Sequence, residues 1–107
     1  MRICFIDMQK MEVSKLPSLF RVGSFLVFFW SNENNEPIHV HVCEGVPSAG
    51  ATKIWLTSMG GCVVANNNSR ISAPNLSEII DIIAAQHLMI CDAWKKHFNT
   101  DDIKFYC

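Results

Sequence analysis

The sequence feature that most constrains the fold is an unbroken apolar run at residues 25–30, Phe-Leu-Val-Phe-Phe-Trp. Aromatic and β-branched side chains favour extended backbone, and turn-forming residues, Gly23 and Asn32, lie on either side of the run. Because successive side chains of a strand point to opposite faces, this strand presents apolar groups on both. The run therefore predicts a sheet strand whose two faces both need to be covered.

Other extended segments lie on both sides of this run. The segment just before it is the expected hairpin partner, and the pair Gly60 and Gly61 can supply the tight turn of a later hairpin. Including the run itself, we predict strands at residues 20–22, 25–30, 38–43, 51–57 and 62–65.

One long helix is predicted over residues 75–98. Asn75 followed three residues later by Glu78 is a variant of the capping box that marks helix starts. One stripe of the helix carries side chains that recur with helical period: Leu76, Ile80, Ile83, His87, Ile90, Trp94 and Phe98. The opposite side carries residues that should stay in water, among them Asp81, Asp92 and Lys96.

These elements predict an α+β fold: an antiparallel sheet of four or five strands, with one long C-terminal helix packed on one face. The single domain is expected to span residues 17–98. Residues 1–16 are expected to form an N-terminal extension and residues 99–107 a C-terminal tail.

Composition narrows the classes of function. The chain has 107 residues, nine of them basic and ten acidic, with a formal net charge of -1. It therefore lacks the basic excess of a strong nucleic-acid binder, and any RNA contact must be local. Its five cysteines include no closely spaced pair, which excludes a zinc ribbon or a thioredoxin-like motif. Charged residues interrupt residues 1–16, so we expect no membrane span and a cytoplasmic location.

The chemically most suggestive residues are two histidines on one predicted strand. His39 and His41 are two residues apart and therefore share one face, which places the two imidazoles about 7 Å apart. Imidazole transfers protons near neutral pH. His39 and His41 are thus the predicted catalytic pair, with one ring neutral and the other protonated during cleavage of a phosphodiester.

A metal site is the second interpretation of these histidines. If the helix crosses the face that carries His39 and His41, His87 would complete a cluster of three imidazoles. Three histidines with an open fourth position suit zinc or another divalent metal. Carboxylates that could support such ligands are Glu33, Glu36 and Glu44. A third interpretation makes the histidines structural, as hydrogen-bond partners of the loop at residues 32–37 or as part of a protein-binding surface.

Five segments, taken in order, resemble the bacterial domain-of-unknown-function family 4160: residues 16–21, 28–33, 36–42, 53–56 and 93–98. Members of that family typically have Ser-Asn-Glu followed by Pro-Pro-His-Val-His-Val. In this chain Ile38 replaces the second proline, and both histidines are kept. His87 also matches a histidine in the family's helix.

The resemblance implies a small cytoplasmic bacterial protein from a compact two-gene, toxin–antitoxin-like module. Such a protein would act through the histidine-rich site on RNA or through a bound metal. A hypothesis from a different class is a non-enzymatic module that binds a protein through an exposed apolar sheet face. Because one helix can cover only one face of residues 25–30, we expect a homodimer or a small protein partner.

Overall fold

The computed structural model describes residues 18–30 and 36–107. The predicted N-terminal extension, Glu33 and most of the loop at residues 32–37 lie outside these ranges. Five strands form one antiparallel sheet in chain order: β1 (Ser18–Val22), β2 (Phe25–Phe28), β3 (His39–Glu44), β4 (Thr52–Leu56) and β5 (Cys62–Asn66). Two helices follow, α1 (Ala73–Ala85) and α2 (His87–Phe98). The α+β class and the antiparallel sheet are confirmed.

Two hairpin turns depend on glycine. Gly23, between β1 and β2, has a φ of 60°, and Gly60, between β4 and β5, has a φ of 91°. Left-handed backbone of this kind suits glycine because it has no Cβ. The Gly60 amide also donates to the Thr57 carbonyl at 3.2 Å, which closes the second turn.

The prediction of one long helix is wrong, because the helical segment is divided at Gln86. This residue has φ -101° and ψ 18°, and its amide is shared between the carbonyls of Ile82 and Ile83 at 3.0 and 3.1 Å. Shared hydrogen bonds of this type are common at helix ends. The apolar stripe continues across the break, so periodicity alone does not reveal it.

The predicted helix start is also wrong. The helix begins at Ala73, with Ser72 as its N-cap, and Asn75 lies within the first turn. Pro74 is tolerated there because the first amides of a helix have no partner within the helix. The proline, rather than the Asn75 and Glu78 pair, was the useful sequence signal.

Both helices contribute to one hydrophobic core on the Val40 side of the sheet. Buried residues of this core include Val27, Val40, Val42, Ile54 and Leu56 from the sheet and Ile79, Ile83, Ile90 and Trp94 from the helices. Asp81, Asp92 and Lys96 are exposed. The predicted orientation of the helical stripe is therefore confirmed at Ile83, Ile90 and Trp94.

The opposite face of β2 is covered as well. Leu26 and Phe28 are buried in the single chain, where they cluster with Cys43, Ala51 and the partly buried Trp30. The expectation of an exposed apolar sheet face is thus wrong for this strand. A homodimer or protein complex stays a prediction, but shielding this face does not require one.

The segment after α2 packs onto the rest of the protein. The Ile38 amide donates to the Lys104 carbonyl at 2.8 Å, and the Ser58 amide donates to the Cys107 carbonyl at 3.0 Å. Phe105 packs against the main core. The predicted C-terminal tail therefore contributes to the packing around the start of β3 and the end of β4.

Candidate functional site

The two strand histidines lie on the sheet face opposite Val40 and Val42. In the strand register, His41 pairs with Phe28 on β2 and with Lys53 on β4, while His39 pairs with Trp55. The two imidazole centroids are 5.0 Å apart, with the ring planes at 86°. The predicted proximity of His39 and His41 is therefore present, while their catalytic role stays a prediction.

His39 is the inner member of the pair. Its exposed fraction is 0%, and the edges of Trp55 and Trp94 approach it with centroid distances of 5.4 and 5.5 Å. Its Nδ1 lies 2.8 Å from the Pro37 carbonyl oxygen. Because a carbonyl only accepts hydrogen bonds, Nδ1 is the donor and carries a proton. This bond holds the imidazole ring in its orientation.

His41 is the outer member of the pair. It is 8% exposed, and its ring stacks on Phe28 with a centroid distance of 5.7 Å. Trp30 approaches the same imidazole at 6.1 Å. A molecule in solution therefore reaches His41 before it reaches His39.

Beside the histidine pair, the same surface is formed by the ammonium group of Lys53 and the rings of Trp55 and Tyr106. Lys53 Nζ lies 4.2 Å from the centroid of Trp55, and Tyr106 stacks on Trp55 at 5.0 Å with the ring planes 3° apart. Tyr106 is 58% exposed. We call this group the histidine face, consisting of His39, His41, Lys53, Trp55 and Tyr106.

Sequence reasoning missed three members of the histidine face. Lys53 and Trp55 alternate on β4 as the histidines do on β3, so the period-two pattern places them on one face. Only the register between β3 and β4 shows that this face is the same one. Tyr106 lies outside any periodic segment, and no sequence signal identifies it.

Two of the three carboxylates predicted to support a metal site, Glu36 and Glu44, have other partners, and Glu33 lies outside the described residues. Glu36 forms an ion pair with Lys53 at 2.5 Å. Glu44 accepts a hydrogen bond of 2.7 Å from the Ser24 hydroxyl.

His87 lies in a different environment from the strand pair. Its Nε2 is 2.8 Å from the Thr57 carbonyl oxygen, its Nδ1 is 3.7 Å from Cys91 Sγ, and its ring stacks on Phe105. Helix α2 also reaches the strand pair, because the Trp94 ring lies 5.5 Å from the His39 ring, and the metal-binding role of His39, His41 and His87 stays a prediction. Within residues 18–30 and 36–107, no group of three or more His, Cys, Asp or Glu side chains is arranged to hold a metal ion.

Comparison with known proteins identifies the family. Residues 24–95 match the family described as Domain of unknown function (DUF4160). The chain belongs to this family. The matched segment contains both strand histidines, Lys53 and Trp55, whereas Tyr106 lies beyond it. No curated protein and no solved structure matches the chain.

In the part of the chain that the structure describes, neither α1 nor α2 has the length and apolar character that crossing a membrane requires.

Proposed function

We propose that this protein is the small component of a toxin–antitoxin-like module of the bacterial cytoplasm, and that it acts on RNA through the histidine face. One observation carries the proposal: an imidazole pair, a lysine and an exposed stacked tyrosine lie in continuous contact on one face. RNA offers phosphates to the lysine, unstacked bases to the exposed tyrosine ring and a 2′-hydroxyl to the imidazole pair.

Recognition would depend on local contacts. The net charge of -1 provides no broad attraction to a polyanion. Tyr106, supported from behind by Trp55, offers its outer ring face to a base, and such stacking is worth about 1 to 3 kcal/mol per base. Lys53 lies close enough to the same rings to contact the neighbouring phosphate, which would replace the Glu36 carboxylate as its partner.

The proposed chemistry uses His41 as the general base. Its imidazole takes the proton of a ribose 2′-hydroxyl, whose oxygen then attacks the adjacent phosphorus while the 5′-oxygen leaves. A protonated imidazole returns a proton to the leaving oxygen, and His39 is the proposed donor. Because His39 is buried under Trp55, this second transfer requires the Trp55 and Tyr106 stack to move aside.

The test combines RNA binding and RNA cleavage. We expect the full-length protein to bind and cut a short fluorescent single-stranded RNA, and His41→Asn to abolish cleavage in protein that near-ultraviolet circular dichroism shows to be folded. His97→Asn is the matched control, because His97 is exposed on α2 and lies outside the histidine face. Wild-type protein that neither binds nor cuts RNA, or cleavage that survives His41→Asn, would contradict the proposal.

The non-enzymatic alternative is favoured by one observation, the complete burial of His39 among Trp55 and Trp94. A histidine in such surroundings, with one nitrogen on a backbone carbonyl, commonly has a structural role. In that case the protein would bind a partner protein, and light scattering after co-expression with the neighbouring gene product would detect a stable complex. Under this alternative, this protein would not cleave RNA.

A further inference from the structure

A cavity of about 630 Å³ lies on the helical side of the protein. It opens between the turn at Ser58, helix α2 and the segment after it, and its lining includes both His87 and Cys91. Met59 and Leu88 line it with exposed apolar side chains. The cavity is wide and open to solvent, and its volume falls within the range of small-molecule sites.

The His87 imidazole and the Cys91 thiol lie side by side on the cavity wall. They are four residues apart on α2 and therefore lie on one side of the helix. His87 Nε2 donates to the Thr57 carbonyl at 2.8 Å, because a carbonyl only accepts. In the neutral ring Nδ1 is then the acceptor, and the Cys91 thiol lies 3.7 Å from it. Phe105, stacked at 6.0 Å with the planes 11° apart, holds the imidazole in this orientation.

Two other thiols in the described part of the chain have a different kind of partner. Cys43 Sγ donates to the Val46 carbonyl at 3.0 Å, and Cys62 Sγ donates to the Ile80 carbonyl at 3.7 Å. A carbonyl oxygen does not take up the thiol proton, whereas an imidazole nitrogen does.

The protonation state of the resting Cys91 thiol is a second reason to expect a base beside it. Burial raises the pKa of the Cys91 thiol, the nearby Lys95 lowers it and Asp92 raises it. The thiol is therefore neutral near pH 7, and only the thiolate is a strong nucleophile. An imidazole in contact with Sγ can take the proton during the attack.

We propose that Cys91 and His87 form a second site, which accepts an acyl group from an activated ester or thioester with a small apolar acyl chain. Sγ bonds to the carbonyl carbon as its proton passes to His87 Nδ1. The carbon–oxygen or carbon–sulfur bond then breaks, and the leaving group takes that proton. The products are S-acylated Cys91 and an alcohol or thiol, and the Thr57 carbonyl holds the imidazolium in position meanwhile.

The probe is p-nitrophenyl butyrate, and the readout is peptide mass spectrometry of the full-length protein at near-neutral pH. We expect butyrylation of Cys91 to outpace that of Cys62, although Cys91 is the more buried cysteine, because Cys62 Sγ donates to the Ile80 carbonyl and not to an imidazole. His87→Gln keeps a donor for the Thr57 carbonyl but removes the base, so the rate at Cys91 should fall about 100-fold. Cys62→Ala should leave the rate at Cys91 unchanged.

Two results would overturn the proposal. One is butyrylation of Cys91 no faster than that of Cys62 in the wild-type protein, a comparison that depends on no variant folding correctly. The other is an unchanged rate at Cys91 in a folded His87→Gln protein, as judged by near-ultraviolet circular dichroism.

Discussion

Replacing Trp94 by alanine should remove the central aromatic contact between α2 and the sheet. Trp94 is 3% exposed and packs against Phe29 at 5.2 Å, Phe98 at 4.5 Å and His39 at 5.5 Å between ring centroids. Truncating a buried tryptophan typically costs about 3 to 5 kcal/mol. Because small domains have a free energy of unfolding of only about 5 to 15 kcal/mol, this loss is a large part of the total.

Urea denaturation followed by circular dichroism measures the loss. With a denaturant slope of about 2 kcal/mol per M, a cost of about 4 kcal/mol lowers the unfolding midpoint by about 2 M. The matched control is Leu88→Ala on the same helix, which should change the free energy of unfolding by no more than about 0.5 kcal/mol because Leu88 is exposed. Equal midpoints for the Trp94→Ala and wild-type proteins would refute the packing described above.

Three further predictions concern a hydrogen bond, a turn and the thiols. His39→Phe keeps an aromatic ring but leaves the Pro37 carbonyl without its donor, so urea titration should show a loss of about 1 to 3 kcal/mol. Gly60→Ala places a Cβ on a residue with φ 91°, and its melting temperature should fall, whereas an unchanged value would argue against this turn. Burial raises the pKa values of Cys62 and Cys91, so the unfolded chain loses these protons first and the free energy of unfolding should fall as pH rises through the thiol range. Replacing both cysteines by alanine should reduce that fall, as measured by urea titrations at several pH values, and burial of Cys43, which also raises its thiol pKa, should maintain the remainder.

Local sequence patterns were sufficient to predict most of the sheet. Alternation along residues 38–43 placed His39 and His41 on one face, and their rings lie 5.0 Å apart. The same reasoning identified the buried positions Ile83, Ile90 and Trp94 in the helices. These features follow from the period of a single element, which the sequence contains directly.

The features that were missed depend on contacts between elements. The division at Gln86 leaves the apolar stripe intact, so its period does not change. Whether a helix covers the Val40 face or the His41 face depends on the chain path after β5, which no local pattern specifies. Tyr106 joins the histidine face only because Lys104 pairs with Ile38 and thereby brings the last residues beside β4.

Nuclear magnetic resonance of the histidine side chains tests the central claim most directly. Titration of the full-length protein with a short single-stranded RNA should shift the imidazole signals of His41, and the ring signals of Tyr106 should move with the same concentration dependence. The signals of His87 and His97 should stay in place, because neither residue belongs to the histidine face. If His41 and Tyr106 do not respond while the RNA is in excess, the protein does not act on RNA through this face.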